Sequence, residues 1–406
     1  MADITISYKG NTIAEVSASG TTTLETAGKY CEDDIALAYV KPSGGVSAPL
    51  NDVNFIDYDG TIVASYSASD FANLSALPNN PSHAGLTAQG WNWTLADAKA
   101  QVLISGGLDI GQMYITDDGK TRLYITLFDN VKLSPTLYFN QSVSNGVTID
   151  WGDGSASETV SGTGNLNVTH TYSRMGDYVI TLNVTSGTLK LGNASTSVIN
   201  SATDTRYYRS ILTNVEVGSN CTFQNHSFNN AHSLKTITIP KTATNVWVSS
   251  LFTSAQSLRC IVVPDTVTTI GSEFARGIMY TLQMISLPKS LVTVNYTNQF
   301  LYCYNLKRIT LPPITSIQQQ MFMGCETLTK IVIPSTVTSI GASAFSGCYS
   351  MGEIHFKSTT PPTVANANAW TNVPTTCKIF VPSGYKSSYT SASNYPSSST
   401  YTYVEE

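Results

Sequence analysis

Apolar and polar residues alternate in short runs along most of the chain, and one such run recurs through its second half. Each recurring run predicts one short strand with alternate apolar side chains facing inward, and five runs close on a Pro, which cannot donate to a strand ladder. One unit cannot bury its apolar face alone, so the repeat predicts stacked coils, a solenoid. The leading Leu or Met returns after 22, 24, 24, 24, 22 and 23 residues in LTNVEVG (212–218), LKTITIP (234–240), LRCIVVP (258–264), LQMISLP (282–288), LKRITLP (306–312), LTKIVIP (328–334) and MGEIHFK (351–357).

The best-formed coils continue with a second motif, as in TVTSIGASAFSGC (336–348). Its closing cysteine stands three residues before the next leading residue, as Cys303, Cys325 and Cys348 do, and the same position is Ala231 and Ala255 in other coils. A position that takes Ala or Cys predicts a small buried side chain, because free Cys behaves as a small hydrophobe. The chain has 7 cysteines and no C-x-x-C pair, which indicates neither a disulfide framework nor a zinc site.

The first part of the chain predicts two small modules. ITISY and TIAEV read as strands joined at KGN, and the Pro/Gly/Ser run KPSGGVSAP (41–49) reads as a linker, which gives an N-terminal β attachment module over 1–45. Residues 46–115 predict a small α+β module. It should contain a hairpin around Asp59-Gly60, a short helix capped by Ser67 or Ser69, and a second helix capped by Thr94.

The motif GWNW (90–93) lies in this second module and holds Trp91 and Trp93. Large aromatic side chains in so small a unit are expected to pack its core. Stacking of a surface Trp on a saccharide is the alternative.

Residues 116–192 alternate strand and turn signals at the spacing of a small β-sandwich. Within them, DWGDGS (150–155) places Asp150 and Asp153 three residues apart. Such a pair can be a general acid and base, two ligands of a cation, or part of a tight turn. Catalysis needs a cleft with shifted pKa values, and Ca²⁺ needs more oxygen ligands than this segment supplies, so the turn is favoured and the cation stays open.

The repeat resembles the BspA-like leucine-rich repeat family. The units LRCIVVPDTVTTIGSEF (258–274) and LTKIVIPSTVTSIGASAFSGCYSM (328–351) carry that family's order of L-x-x-I-x-I-P, V-T-x-I-G and A-F-x-x-C-x-x-L. The resemblance implies a leucine-rich repeat solenoid over 193–377. CKIFVPSGYKSSYTSA (377–392) looks like the family's closing part, which implies a C-terminal cap over 378–406.

The segment 116–192 resembles a polycystic-kidney-disease (PKD) domain through WGDGS (151–155), HTY (170–172) and GDYVITLNV (176–184). The resemblance implies an Ig-like sandwich in which Trp151 packs between the sheets, Gly152 and Gly154 take positive φ, and Asp153 bonds to the turn. Through the segments 6–42, NFIDYDGTIVASYS (54–67) and LPNNPSHAGLTAQGWNWTLADAK (77–99), residues 1–115 resemble modules of phage and prophage tail-associated proteins of gut Firmicutes. The fold expectation is therefore mainly β and multidomain.

Composition narrows the function more by exclusion than by assignment. Charged residues make up 12% of the chain, the net charge is −5, and no basic block occurs, which argues against nucleic-acid binding. No signal peptide and no apolar run of the roughly 18 residues of a membrane span is seen, so membrane insertion is not expected. No catalytic or cofactor-binding motif occurs among the usual signatures, so we expect a non-enzymatic protein without cofactor.

The outward positions of the repeat strands and the tyrosines of the turns form the expected ligand-binding surface. The face that these strand positions form is long, of mixed side-chain type and mostly uncharged. Tyrosine can stack on a sugar or anchor a protein contact. The candidate residues are Thr236, Thr238, Met284, Ser286, Tyr302, Tyr304, Arg308, Thr310, Lys330, Tyr349 and His355.

These observations predict an adhesion or receptor-binding protein that recognises a bacterial surface glycan or protein through the repeat. The N-terminal modules would attach it to a phage particle or another multi-protein assembly, which places it in a virion tail or otherwise at a cell surface. A homo-oligomer such as a trimer would fit a tail protein. The alternatives are a BspA-like cell-surface adhesin, a structural virion decoration protein, and a carbohydrate-active enzyme.

Overall fold

The structure, a computed structural model, describes residues 2–8, 11–18, 52–200, 205–243 and 248–406. The chain forms two compact units, Met1–Leu50 and Asn51–Glu406. In the first unit, β1 (Ala2–Tyr8) and β2 (Asn11–Ala18) pair as an antiparallel hairpin. The predicted linker 41–49 lies outside the described residues.

Residues 53–116 form a four-stranded sheet with two helices, as the α+β pattern predicted. The strand order is β4-β3-β6-β5. The helix α1 is capped by the side chain of Ser67, and α2 by that of Thr94. The elements in chain order are β3 (Val53–Ile56), β4 (Ile62–Tyr66), α1 (Ala68–Ala72), β5 (Leu86–Trp91), α2 (Leu95–Ser105) and β6 (Leu108–Thr116).

The core of this module contains both tryptophans of the GWNW motif, Trp91 and Trp93, which are 7% and 4% exposed. The Trp91 ring stands edge-on to Phe55, with the ring centroids 4.9 Å apart. Both indoles therefore pack the module, and neither offers a face to a ligand. We refer to residues 52–116 as the cover module, for a reason given below.

Two sheets that share one core follow, and their strands confirm the predicted alternation. One has the order β10-β9-β12-β7-β15-β17, the other β11-β8-β13-β16, with β14 beside β8. The elements are β7 (Thr121–Leu127), β8 (Thr136–Gln141), β9 (Val147–Asp150), β10 (Glu158–Thr159), β11 (Gly164–Thr169), β12 (Gly176–Val184), β13 (Leu189–Leu191), β14 (Ile199–Asn200), α3 (Thr205–Arg209), β15 (Leu212–Glu216), β16 (Cys221–Phe223) and β17 (Thr236–Thr238).

The sandwich and the solenoid are joined by a continuous sheet. The first repeat strand, β15, pairs antiparallel with β7 of the sandwich and parallel with β17 of the next coil. One cluster of buried side chains extends from Leu123 in the sandwich to Tyr403 near the far end of the repeat. Two regions with different sequence patterns therefore share one hydrophobic core.

The remaining elements stack as coils of a solenoid, which confirms the predicted mainly β fold. In chain order they are β18 (Cys260–Val262), β19 (Thr269–Ile270), β20 (Met284–Ser286), β21 (Thr293–Val294), β22 (Ser316–Ile317), β23 (Lys330–Ile333), β24 (Ser339–Ile340), β25 (Glu353–Phe356), β26 (Thr363–Val364), a 3-10 helix (Ala367–Trp370), β27 (Lys378–Val381), α4 (Lys386–Thr390) and β28 (Thr402–Glu405). Both the L-x-x-I-x-I strands and the shorter V-T-x-I strands pair in parallel between coils.

One of the seven predicted repeat strands does not form. The run 306–312 is irregular, although its apolar Leu306 and Ile309 are buried as the pattern requires. At the C-terminal end, β27 and β28 extend the parallel sheet by two strands. The segment expected to be a cap therefore continues the solenoid sheet.

A third row of main-chain hydrogen bonds joins the coils between these two faces. It carries a ladder of buried rings, in which Phe300, Phe322 and Phe345 stack in order with centroids 5.5 Å and 5.6 Å apart. Six coils reach this row through two residues with left-handed backbone, four positions apart, such as Gln320 (φ 55) and Gly324 (φ 74). Left-handed backbone suits Gly and Asn and strains larger side chains.

The three repeat cysteines lie in this row and are buried, as the position's preference for Ala predicted. Their thiols donate to carbonyl oxygens of the preceding coil, with Sγ to O distances of 3.1 Å for Cys303, 3.3 Å for Cys325 and 3.2 Å for Cys348. Burial raises the pKa of Cys303 and of Cys348 to about 12. Such thiols remain protonated at neutral pH, which makes them packing groups and poor nucleophiles.

Candidate binding surface

The cover module packs on the face of the solenoid formed by the L-x-x-I-x-I strands, near the middle of that face. Asn92 Nδ2 donates to the carbonyl oxygen of Val263 and to Oγ of Ser286, at 2.9 Å each. The Trp93 indole donates to the carbonyl oxygen of Leu287 at 2.8 Å. A Cβ added to Gly111 of β6 would lie 2.4 Å from a methyl carbon of Val262, so only glycine permits this approach.

An ion pair also joins the cover module to the repeat. Arg308 Nε donates to Asp109 Oδ2 at 3.0 Å, and the guanidinium also bonds to Oδ1 of this carboxylate, which is 3% exposed. Asn54 Nδ2 donates to the same Oδ1 at 2.9 Å, and Thr310 Oγ1 donates to the carbonyl oxygen of Gly107 at 3.0 Å. The polar side chains of the sheet are thus satisfied by the cover module.

This arrangement corrects the expected outward face at its centre. Met284 is 7% exposed and Ser286 is fully buried beneath the cover module, while Arg308 and Thr310 are half-buried and bonded to it. The sequence pattern shows that these side chains leave the solenoid core. It does not show that a segment 200 residues earlier in the chain folds onto them.

The two candidates near the sandwich are also engaged within the protein. Thr238 is fully buried and its Oγ1 accepts a hydrogen bond from the Val217 amide at 3.0 Å. Thr236 is half-buried and donates to Asn214 Oδ1 at 2.7 Å. The predicted exposure is therefore wrong for Thr238 as it is for Met284 and Ser286.

The sheet is more open at its C-terminal end. Lys330 is exposed and pairs with Glu353 at 3.4 Å. His355 is 7% exposed, its two ring nitrogens lie 3.0 Å from carboxylate oxygens of Glu353 and Glu406, and its ring stacks on Phe380 with centroids 4.2 Å apart. Lys330 is thus available to a ligand, and His355 is committed to the sheet.

Those bonds lower the pKa of both carboxyl groups. For Glu353 the main cause is the hydrogen bond with His355. For Glu406, burial acts in the opposite direction and is outweighed by the hydrogen bonds with Lys357 and His355.

Tyrosines of the turns form an accessible aromatic group on the repeat. Tyr280, Tyr302 and Tyr304, which we call the tyrosine patch, lie together, with ring centroids 5.7 Å apart for Tyr280 and Tyr304 and 5.9 Å apart for Tyr302 and Tyr304. Tyr280 is 54% exposed. Tyr349 follows Cys348 as Tyr304 follows Cys303, two coils away, and is 56% exposed.

The backbone of Tyr302 is unusual for its side chain. Its φ is 61°, at the second left-handed position of its coil. Other coils place small residues or Asn there, namely Asn230, Ser254, Gly277, Gly324 and Gly347. A Cβ added to Gly324 would lie 2.7 Å from Cδ1 of Tyr302, so the ring rests on this glycine. A bulky residue in a strained conformation often marks a functional position.

The DWGDGS segment has the geometry of a turn. Asp150 Oδ1 accepts from the Gly152 amide at 2.9 Å, and Asp153 Oδ1 accepts from the amide and hydroxyl of Ser155 at 3.0 Å and 2.6 Å. Gly152 (φ 75) and Gly154 (φ 86) have the positive φ values that the resemblance implied.

Two aromatic rings complete this turn. His170 Nε2 lies 2.8 Å from Asp153 Oδ2 and its ring stacks on Trp151, with centroids 4.7 Å apart. The hydrogen bonds with Ser155, followed by the one with His170, hold the pKa of Asp153 well below its usual range. Across the described residues, no group of three or more His, Cys, Asp or Glu side chains is placed to hold a metal ion.

A polar cavity beside the cover module was not predicted. It is lined by Asp59, Gly60 and Thr61 of the β3–β4 hairpin and by Arg259, Gln283 and Met284 of two coils. Arg259 and Gln283 each follow a leading Leu, which is a signal of outward orientation in the repeat. Their approach to the hairpin depends on the docking of the cover module, which the sequence does not reveal.

The stacked coils, parallel strands and buried phenylalanine ladder define a leucine-rich repeat solenoid. The family described as BspA type leucine rich repeat region matches in six copies, over residues 200–329, 248–375 and 315–401. Residues 200–401 therefore match the BspA-type leucine-rich repeats. No curated protein matches the chain.

Three solved structures are similar to parts of the chain. A leucine rich cell surface protein from Faecalibacterium prausnitzii A2-165 has 22% identity and a TM-score of 0.34, over 45% of this chain and 51% of that one. A leucine-rich repeat protein from Bacteroides ovatus ATCC 8483 has 15% identity and a TM-score of 0.28, over 44% and 64%. The pneumococcal vaccine antigen PcpA has 16% identity and a TM-score of 0.29, over 54% and 46%. Less than two thirds of each of these chains is spanned.

In the described residues, no helix combines the length and apolar character needed to cross a membrane.

Proposed function

We propose that this protein is a non-enzymatic adhesion protein that recognises a bacterial surface through the accessible turns of its repeat. The observation that carries the proposal is the tyrosine patch, in which Tyr302 keeps a large ring at a position where other coils have Gly, Asn or Ser. Tyrosine gives a large, rigid contact area with a hydroxyl at its edge, which suits a glycan or a protein surface. The BspA-type repeat supports a role in surface recognition.

A single tyrosine patch gives a small contact, so strong attachment depends on many copies acting together. Weak contacts become effective when several are presented on one particle or cell, because each later binding event is intramolecular. We propose that the N-terminal residues attach the chain to such an assembly. A phage or prophage tail is the first candidate, the surface of a bacterial cell is the alternative, and a decoration protein that binds nothing outside its particle is a third.

The test of recognition is cell binding by the full-length protein displayed on beads. We expect wild type to bind selected strains in a panel of gut Firmicutes, and the double variant Tyr280→Ala/Tyr304→Ala to bind at least 10-fold less. Tyr385→Ala is the matched control, because Tyr385 is 40% exposed and lies in the C-terminal segment, and it should bind as wild type does. Removal of surface polysaccharide identifies the ligand class. Equal binding by the double variant, or no binding by wild type, contradicts the proposal.

Whether the protein is attached to a phage tail or to the cell surface is tested separately in the native organism. An antibody against the repeat should label sedimented tail particles after prophage induction if the first candidate is correct. Label on intact cells without induction would favour the cell-surface adhesin. Labelled particles combined with no cell binding by the bead-displayed protein would favour the decoration protein.

A further inference from the structure

We propose that the cavity between the cover module and the repeat binds one neutral pyranose unit of a glycan. Its volume is about 250 Å³, which is below the usual range of drug-sized pockets and suits a ligand of one ring. No residue of the tyrosine patch lines this site. The inference relies on the proposed function only for the surface glycan as the source of the sugar.

The β3–β4 hairpin forms one wall and rests directly on the sheet. A Cβ added to Gly60, whose φ is 90°, would lie 3.3 Å from Cβ of Cys260 and 3.7 Å from Cε of Met284. Glycine at the tip therefore allows the hairpin to close on the strands while the cavity beside it stays open. The Thr61 amide donates to Asp59 Oδ1 at 2.8 Å, which fixes the carboxylate at the cavity wall.

The opposite wall consists of matching positions in two adjacent coils. The main-chain N–H of Gln283 donates to the main-chain carbonyl oxygen of Arg259 at 3.0 Å. The two side chains therefore leave neighbouring coils about 4.8 Å apart. Neither side chain makes a hydrogen bond or ion pair elsewhere in the described part of the chain. Arg259 and Asp59 line one cavity without pairing with each other, so donors and acceptors are left for a ligand.

This set of groups matches a sugar better than other ligands of similar size. A pyranose presents hydroxyls that both donate and accept, and an apolar ring face. Arg259 and the side-chain NH2 of Gln283 can donate, Asp59 and the side-chain carbonyl of Gln283 can accept, and the Thr61 hydroxyl can do either. Met284 contributes a small apolar part of the lining.

The balance of charge argues for a neutral sugar. Asp59 and Arg259 carry opposite charges, so the lining has no net charge with which to select an acidic sugar or a cation. The nearby carboxylate of Asp57 is already bonded to His83, at 2.7 Å, so it adds no free acceptor.

The experiment uses full-length protein and methyl glycosides of glucose, galactose, mannose, rhamnose and N-acetylglucosamine, with saturation-transfer NMR as readout. We expect transfer to at least one glycoside, and at least a 10-fold loss of affinity for Arg259→Ala and for Asp59→Asn. Lys307→Ala is the matched control, because Lys307 is exposed at the same position of the next coil and does not line the cavity. Circular dichroism confirms that each variant is folded.

No transfer to any neutral glycoside from wild type overturns the inference. So does binding that survives in Arg259→Ala and Asp59→Asn, or binding of methyl glucuronide in preference to the neutral sugars. The variant Tyr280→Ala/Tyr304→Ala should keep glycoside binding while it loses cell binding. The two proposals can therefore fail independently. A substitution in the cavity should remove only the glycoside signal, and the double substitution in the tyrosine patch should remove only cell attachment.

Discussion

At the scale of single residues, backbone conformation says more about function here than side-chain identity. Tyr302 is one of 22 tyrosines, and composition alone gives no reason to select it. What distinguishes Tyr302 is its φ of 61°, at the position of the coil that is Gly277 or Gly324 in other coils. Aligning the coils could have shown the mismatch, but not that the position is left-handed, because φ is set by the third row of hydrogen bonds between coils.

We predict that Tyr302→Gly keeps or raises the thermal stability of the protein while it weakens cell binding. The left-handed conformation costs a non-glycine residue about 1–2 kcal/mol, and glycine removes that cost. Tyr304→Gly is the comparison, because Tyr304 has an ordinary negative φ and glycine there should lower stability by about 1 kcal/mol. Thermal unfolding followed by circular dichroism measures both. An equal loss of stability in the two variants would show that Tyr302 is a packing residue.

The turn at Asp153 gives a pH dependence with a definite sign. Its carboxyl group has a lowered pKa in the folded state, so the stability it contributes is present above the ordinary Asp value and is lost as pH falls below about 4. We predict that wild type unfolds at a higher temperature than Asp153→Asn at pH 6, and that the gap narrows by pH 3. A constant gap between these pH values would rule out the charged hydrogen bonds as its source. The sequence was sufficient to identify this turn, because all its partners but His170 are within five residues.

At the scale of elements, the sequence predicts which helices and strands form better than it predicts which surfaces they pack against. The hairpin at Asp59-Gly60, both helix caps and six repeat strands form as the patterns indicate. The fifth run, 306–312, keeps its apolar side chains inward, yet it bonds through Arg308 and Thr310 to the cover module. Contacts between segments 200 residues apart leave no local pattern, so four candidate positions at the centre of the sheet proved to be covered or engaged.

The docking of the cover module should depend strongly on one ion pair. We predict that Arg308→Ala lowers the free energy of unfolding by about 3 kcal/mol or more, because it leaves the buried Asp109 without its cation. Lys330→Ala breaks an exposed pair and should cost at most about 1 kcal/mol. Urea denaturation followed by the fluorescence of the five tryptophans, one of which, Trp93, lies at this contact, measures both. Partial recovery in Arg308→Ala/Asp109→Asn would identify the unpaired charge as the cause; equal effects of Arg308→Ala and Lys330→Ala would exclude it.

At the scale of the whole molecule, regions that differ in sequence pattern are joined by packing. The alternation predicts a sandwich followed by a solenoid, and both are present. Their shared sheet follows from β15, whose LTNVEVG sequence is that of an ordinary repeat unit but whose neighbours belong to both regions. The boundary at residue 192 is therefore a change in pattern within one core.

We predict that a fragment of residues 193–406 is less stable than one of residues 52–406. The shorter fragment lacks β7, the partner of β15, and exposes buried side chains such as Ile211 and Leu212. Hydrogen exchange should show faster exchange of backbone amides in residues 212–240 of the shorter fragment, and binding of a hydrophobic dye should increase. Equal protection in the two fragments would mean that the solenoid folds without the sandwich.

The sheet that passes without interruption from the sandwich into the solenoid also determines how the molecule would respond to tension. An adhesion protein is pulled between its anchor and its ligand, and a flexible linker would stretch first. Here the load crosses from β7 to β15 through several main-chain hydrogen bonds strained together. Under flow, the junction between sandwich and solenoid would therefore hold, and the two regions would move as one unit.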